Sequence, residues 1–231
     1  MSAFAFRASA AALGGFFTRP VNEPVPVQAA TVLPSVGGYG TARAEHFRFH
    51  ELVSFRSAYT QVIGNEYEEG GQHERSTLAL AVIEGLNVLD MVTADRVVGR
   101  LVSETQLPAD RAERAKFSPK ELTWLPEGSY FVNLRIAGRP IAPRPHQGIF
   151  AQEASTCDGV KKVVGGEGAP LRCSLFSDGN PITIPGFGDI FLGEYLVASD
   201  YRRLTMIRIA LHSPAGGDLA AASLEGNGIL Y

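Results

Sequence analysis

The stretch that decides the fold class runs from Tyr130 to Pro140 and reads YFVNLRIAGRP. Val132 and Leu134 would lie on one face of an extended chain, and the polar residues that alternate with them would lie on the other. This period of two is typical of a half-buried β-strand. The glycine and proline that come after Ile136 favour a tight turn, so we predict one continuous strand that ends at Ile136.

Similar runs, separated by glycine-rich turns, continue through most of the chain from Tyr39 onward. They are rich in β-branched and aromatic residues and recur roughly every 10 to 20 residues, a spacing typical of an antiparallel sandwich or barrel. We therefore predict an all-β fold, an antiparallel β-sandwich. Besides the opening stretch, the predicted strands are Phe47–Phe49, Val53–Ser57, Ser76–Ile83, Val88–Val102, Ile182–Ile184, Gly188–Val197, Leu204–His212 and Gly217–Leu224.

Residues 1–37 differ from the rest because prolines are dense there, at Pro20, Pro24, Pro26 and Pro34. Proline lacks a backbone N–H and is incompatible with a regular helix interior, and the alternation of proline with valine favours extended backbone. We predict an extended N-terminal arm over residues 1–37, followed by one β-sandwich domain over residues 38–231.

A short helix is predicted within residues 107–120, as an excursion between two strands. Asp110 would lie in its first turn and Lys116 in its last, and each charge would then interact favourably with the helix dipole. No other segment has a comparable helical pattern.

A long loop is predicted over residues 142–181, and it contains both cysteines, Cys157 and Cys173. In an exported protein the two would form a disulfide that restrains the loop and contributes roughly 3 kcal/mol to stability by the loop-closure argument. In a reducing compartment they would be free thiols. We expect no zinc site, because neither a second cysteine pair nor paired histidines lie nearby.

Charge and hydropathy exclude several classes of protein. The 231 residues include 21 basic and 24 acidic side chains, a net charge of −3, and the basic residues form no stripe, so we expect no nucleic-acid partner. No apolar run reaches the roughly 20 residues of a membrane-spanning helix, so we expect no membrane span. The apolar run Ala8–Phe17 follows a single cation, Arg7, and does not form a clear signal peptide.

The most suggestive polar cluster is the segment around His46, Arg48 and His50. On a strand the two histidines would share a face about 13 Å apart, too far for one metal ion. We therefore interpret the cluster as a solvated strand face and predict no metal site. His73, His146 and His212 have no partners nearby in the sequence, and we interpret each as a surface or loop residue.

Other candidate motifs also have structural interpretations. The chain has no Gly-x-Ser-x-Gly motif and neither cysteine has a protease context, so we predict no catalytic residues, no cofactor and no enzymatic activity. Asp178 and Asn180 predict a turn, because the remaining ligands of a calcium loop are missing. The single tryptophan, Trp124, is flanked by leucines and is interpreted as a packing residue in preference to a carbohydrate platform.

Several of these blocks, taken in order, resemble the choice-of-anchor P family over roughly residues 38–226. The blocks are Gly38–Gly40, Val92–Val97, Ser129–Ile141, Ile182–Glu194, Leu204–His212 and Gly217–Leu219. The resemblance implies a bacterial exported or cell-surface β-rich domain with no associated enzymatic activity. The chain departs from that family in its cysteine-bearing insertion over residues 142–181, and it shows neither a clear signal peptide nor a C-terminal anchor.

We therefore expect a non-catalytic extracellular or cell-surface module of structural or adhesion type. Its partners would be a second copy of the chain or a cell-surface molecule, and the arm over residues 1–37 could add to a sheet edge of a neighbour. The alternative is a module that binds a carbohydrate or a metal, or a hydrolase, in either case using the loop over residues 142–181.

Overall fold

The structure is a computed structural model that describes residues 4–69, 72–107, 123–149, 159, 160, 162, 171–176, 180–198 and 201–230. The predicted all-β class is confirmed. The strands among these residues are β1 (Phe4–Arg19), β2 (Glu23–Gln28), β3 (Thr31–Val32), β4 (Gly38–Phe49), β5 (Val53–Glu69), β6 (Gln72–Val88), β7 (Val92–Leu107), β8 (Thr123–Leu125), β9 (Tyr130–Val132), β10 (Arg135–Ile136), β11 (Arg139–Pro140), β12 (Leu171–Ser174), β13 (Ile182–Ile184), β14 (Gly188–Val197), β15 (Arg202–Leu211) and β16 (Gly216–Leu230).

The strands form two antiparallel sheets that pack face to face as a sandwich. Sheet A has the order β12-β14-β15-β16-β1-β2, with β13 beside β14 and β3 beside β1. Sheet B has the order β11-β10-β7-β6-β5-β4, with β8 and β9 beside β7. In the last third of the chain, the predicted strands correspond in order to β13, β14, β15 and β16.

The core lies between the two sheets, where β1 and β16 pack against β5, β6 and β7. Alternate residues of each strand point into it, as in β6, where Ala79, Ala81 and Ile83 are almost fully buried. The facing part of β1 contributes Ala8 and Ala10, whose small side chains let the sheets approach closely. Larger residues fill the remaining space, and each buried Leu, Ile or Phe contributes about 1.5–3 kcal/mol through the hydrophobic effect.

The predicted N-terminal arm is wrong, because the first described residues form a central strand of sheet A. On one side β1 pairs with β16, from Phe4 opposite Leu230 to Arg19 opposite Gly216, and on the other side it pairs with β2 and β3. The prolines Pro24 and Pro26 lie in β2, at the edge of the sheet, where a missing N–H is tolerated. The prolines excluded a helix correctly, but they did not exclude a strand.

The opening stretch is not the single strand that its period of two predicted. Asn133 has a left-handed backbone with φ of 50°, and it separates β9 from β10, both of which pair with β7. This irregular residue shifts the alternation by one position, so Val132 is 38% exposed while Leu134 is 1% exposed. The predicted placement of those two residues on one face is therefore wrong.

The helix predicted within residues 107–120 is not supported. The strand β7 continues as far as Leu107, and residues 108–122 lie outside the described part of the chain.

The edges of the two sheets meet along two sides of the sandwich. On the first, which we call the closed side, β2 and β3 lie against β4 and β5. The Thr60 hydroxyl donates a hydrogen bond of 2.7 Å to the carbonyl oxygen of Ala29. Phe6 and Leu33 are buried near Gly64 of the same strand β5. A Cβ atom at Gly64 would lie 2.8 Å from both of those side chains, so the packing there depends on glycine.

Candidate functional site

The opposite side of the sandwich holds a cavity of about 1010 Å³, which we call the side cavity. Its walls are the segment Ile141–Gly148, the strand β12, Asn180 and Ile182, and the outward-facing residues of β14 and β15. The described parts of the predicted loop over residues 142–181 therefore contribute much of its wall.

The segment Ile141–Gly148 connects the two sheets at this side. The Ile141 N–H donates to the Leu134 carbonyl near the edge of sheet B, and the His146 N–H donates to the Leu175 carbonyl at the edge of sheet A, both at 2.8 Å. Pro145 lies opposite Phe176 in an isolated β-bridge.

Gly193 of β14 allows this connection to approach sheet A. It has φ of 60°, and a Cβ atom there would lie 2.5 Å from the Phe176 ring. Only glycine gives both the left-handed backbone and the space for Phe176 at this position.

A carboxylate and an arginine form the charged wall of the side cavity. Arg208 donates to both oxygens of Glu194, with Nε–Oε2 at 2.9 Å and Nη2–Oε1 at 3.3 Å, and its Nη1 donates to Asp218 at 3.0 Å. Burial lowers the pKa of Arg208, but the hydrogen bonds with Glu194 and Asp218 outweigh burial and raise that pKa overall. The guanidinium also lies 3.9 Å from the ring centre of Phe191, which covers one of its faces.

Three further polar side chains of the cavity wall make fewer hydrogen bonds and ion pairs with the protein. Arg144 is exposed and has no ion-pair partner among the described residues. The side chain of Arg172 is 68% exposed and contacts Glu194 at 3.5 Å. His146 Nδ1 is buried and has no hydrogen-bond partner in the described part of the chain. The two arginines therefore retain hydrogen-bonding capacity for a bound molecule.

Cys173 also lines the side cavity, as a free and half-buried thiol. It donates a long hydrogen bond of 3.6 Å to the Tyr195 carbonyl, and burial raises its pKa to about 11. Because the thiolate is the nucleophilic form, this thiol is a poor nucleophile near neutral pH. Cys157 lies outside the described residues, and the predicted disulfide with Cys173 is not seen.

The segment around His46, Arg48 and His50 was interpreted as a solvated strand face, and all three residues are exposed. His46 is exposed and has a left-handed backbone with φ of 51°. His50 follows the strand and contacts Glu23 at 3.2 Å, from Nε2 to Oε2. His212 makes a separate exposed contact with Asp189. Within the ranges that the structure describes, no three His, Cys, Asp or Glu residues are close enough to hold a metal ion.

The remaining predicted residues have different outcomes. His146 lies in a loop, one of the two settings expected for it, and is partly buried on the cavity wall. Asn180 lines the side cavity, whereas its predicted turn partner Asp178 lies outside the described residues. His73 lies in β6 and Trp124 in β8.

A comparison with known protein families matches most of the chain to one family. A family model described as a domain of unknown function (DUF8256) matches residues 4–167. The chain belongs to that family. The DUF8256 match contains β1 to β11 and the segment Ile141–Gly148, whereas β12, β14 and β15 of the cavity wall come after it.

Two other comparisons add no relative. No curated protein and no solved structure matches the chain. None of the described residues form a helix that is both long and apolar enough to span a membrane. The resemblance to the choice-of-anchor P family stays a prediction.

Proposed function

We propose that the protein is a non-catalytic binding module that holds a small organic ligand in the side cavity. The observation that supports this most strongly is the size and lining of that cavity. At about 1010 Å³ it is at the upper end of the roughly 300–1,000 Å³ typical of ligand sites, and it combines apolar walls with a few polar groups.

The lining provides apolar surface that a ligand can contact and polar groups that would orient it. Ile141, Phe176 and Leu192 supply apolar surface. Asn180 and Ser174 supply polar side chains, although the Ser174 hydroxyl already donates to the Leu192 carbonyl at 2.7 Å. Such a lining suits a molecule with an apolar face and several polar substituents, a class that includes the carbohydrates named in the alternative interpretation of the sequence.

The surroundings of three cavity side chains support binding without catalysis. Cys173 has a pKa of about 11 and is a weak nucleophile at neutral pH. His146 has no carboxylate partner within the described residues that would orient it as a general base. Glu194 accepts hydrogen bonds from Arg208 at both carboxylate oxygens, so this carboxylate is engaged in the ion pair of the wall.

The cellular setting of this module is proposed on the sequence blocks alone. They support an extracellular or cell-surface location and a structural or adhesion role for the binding module. Association with a second copy or a cell-surface molecule stays a prediction. Strand addition by the N-terminal segment is not proposed again, because β1 is paired on both sides within its own sheet.

A cavity-filling variant tests the proposed function. Leu192→Trp places a large side chain in the side cavity, while Val32→Trp changes a residue of β3 that is 71% exposed and serves as the control. A panel of saccharides and small organic acids is screened against the wild type by ligand-observed NMR. We expect at least one ligand whose signal is lost with Leu192→Trp and kept with Val32→Trp.

Two results would contradict the proposal. Binding that survives Leu192→Trp would place the ligand elsewhere, and a wild type that binds nothing in the panel would remove the binding function. Turnover of a bound ligand that disappears with a single cavity substitution would make the protein an enzyme.

A further inference from the structure

The described residues of the side cavity carry an excess of positive charge. Three arginines, Arg144, Arg172 and Arg208, line it, against one carboxylate, that of Glu194. The cavity therefore favours a ligand of opposite charge, provided that the arginines are not all neutralised by the protein itself.

Arg208 is neutralised by the protein. Its Nε, Nη1 and Nη2 atoms all donate to Glu194 or Asp218, and its flat face lies against Phe191. The side chains of Arg208 and Glu194 are 23% and 17% exposed, so the pair is partly shielded from water. A ligand would have to break this arrangement to use Arg208, and we assign the pair to the framework of the wall.

Arg144 and Arg172 retain free donors. Arg144 is exposed between Pro143 and Pro145, whose rings restrict the backbone on either side of it. Arg172 reaches Glu194 at 3.5 Å through one nitrogen, which leaves its other donors available. Arg144 and Arg172 thus both line the cavity with donors that the protein does not use, and guanidinium groups bind carboxylates through paired hydrogen bonds.

We propose that the side cavity selects a carboxylate-bearing small molecule, whose carboxylate is bound by Arg144 and Arg172 while its body lies against the apolar wall. This inference rests on the proposed binding function and names the chemical class of the ligand. An acidic saccharide meets both requirements, because its rings have apolar faces and its carboxylate is planar.

A matched pair of probes separates charge from shape. Digalacturonic acid and its dimethyl ester have the same rings and differ in the two charges, and each is titrated by NMR at low and at high ionic strength. We expect the acid to bind at least about 10-fold more tightly than the ester, since charge-assisted hydrogen bonds are roughly twice as strong as neutral ones. High salt should reduce that difference.

Variants assign the effect to the two arginines. Arg144→Gln and Arg172→Gln should each weaken binding of the acid by about 10-fold and leave binding of the ester unchanged, a pattern that a loss of fold would not give. Arg43→Gln is the matched control, because Arg43 lies on β4 at the closed side and is 70% exposed. It should change neither affinity.

The outcomes distinguish this inference from the proposed function. Equal binding of acid and ester, or acid binding that is insensitive to both arginine variants, overturns the carboxylate inference and leaves a binding module. Inorganic phosphate that displaces the acid at equal concentration also overturns it, since the site would then bind any oxyanion. If the acid does not bind while an uncharged ligand of the wider panel does, the inference fails and the binding function stands.

Discussion

The two sides of the sandwich join the edges of the two sheets in different ways. On the closed side, β3 meets β4 directly, and Phe6, Leu33 and Gly64 are in contact with no space between them. On the other side, a separate segment crosses from sheet B to sheet A and leaves the side cavity beneath it. The closed side should therefore contribute more to stability, and the ligand site that we propose lies on the other side.

The two sides also differ in the polarity of their contacts. On the closed side the described contacts are mainly apolar, with a buried hydrogen bond from Thr60 and an exposed contact between His50 and Glu23. The cavity side has the ion pair of Glu194 and Arg208 and a protonated thiol at Cys173. Substitutions should therefore change the free energy of unfolding strongly on the closed side, and change reactivity or binding on the cavity side.

The largest effect is expected at Phe6 on the closed side. Phe6→Ala should lower the free energy of unfolding by about 3–5 kcal/mol, because it removes a buried ring and leaves a space that its neighbours cannot fill. Urea denaturation measures this change. Phe16→Ala, at a β1 residue that is 38% exposed, is the control and should cost much less. Equal losses for the two variants would contradict the proposed role of the closed side.

The next effect is chemical and concerns Cys173 on the cavity side. A thiol with a pKa of about 11 is almost entirely protonated at pH 8, so its alkylation by iodoacetamide in the folded protein should be about 100-fold slower than that of an unfolded cysteine. The rate should rise steeply as the pH approaches 11. A Cys157→Ser background assigns the signal to Cys173, and mass spectrometry measures the rate.

The same pKa predicts a loss of stability at high pH. The folded state holds the Cys173 proton more tightly than the unfolded state, whose thiol has a pKa near 8.5. This contribution is fully present below about pH 8.5 and is lost as the pH rises towards 11. A free energy of unfolding that does not depend on Cys173 over that range, judged against Cys173→Ser, would show that the thiol is not buried.

A moderate effect is expected at Gly64 on the closed side. Gly64→Ala should lower the free energy of unfolding by about 1–3 kcal/mol, because the added methyl group would lie 2.8 Å from Phe6 and Leu33. Gly14→Ala is the matched control, since its methyl group would lie 3.3 Å from the exposed side chain of Val27. Thermal unfolding of the two variants compares them directly, and a smaller loss at Gly64 than at Gly14 would contradict the tight packing.

The smallest effect is expected at Arg144 on the cavity side. Arg144→Gln should change the free energy of unfolding by less than about 0.5 kcal/mol, because the side chain is exposed and has no ion-pair partner among the described residues. Chemical denaturation of this variant beside the wild type measures the change. A loss above 1 kcal/mol would show that Arg144 supports the fold.

The sequence predicted the strands well where neighbours in the chain are also neighbours in the sheet. The runs that became β13, β14, β15 and β16 follow one another and pair largely in that order, so local alternation was sufficient. The position of β1 could not be predicted in this way. Its partner β16 lies at the other end of the chain, and the alanines of β1 indicate no sheet by themselves.

The side cavity was predicted in part. Binding by the loop over residues 142–181 was an alternative interpretation and stays a prediction, while Ala142–Gly148, Arg172–Ser174, Phe176 and Asn180 of that range line the cavity. Arg208 and Phe191 were missed, because each follows the ordinary alternation of a strand, and only the register that pairs them brings the guanidinium over the ring. The register of Asn133 was missed because a left-handed residue leaves no trace in a period-two pattern.

The pairing of β1 with β16 also determines the order in which strands can pair while the chain is being synthesised. The hairpins that join β4 to β7 can form as soon as they leave the ribosome, since their contacts are local in the chain. In contrast, β1 emerges early and must wait for β16, with one edge uncovered in the meantime. A recombinant fragment that ends at residue 167, where the family match ends, would keep β1 in that uncovered condition permanently, and it should be found in inclusion bodies.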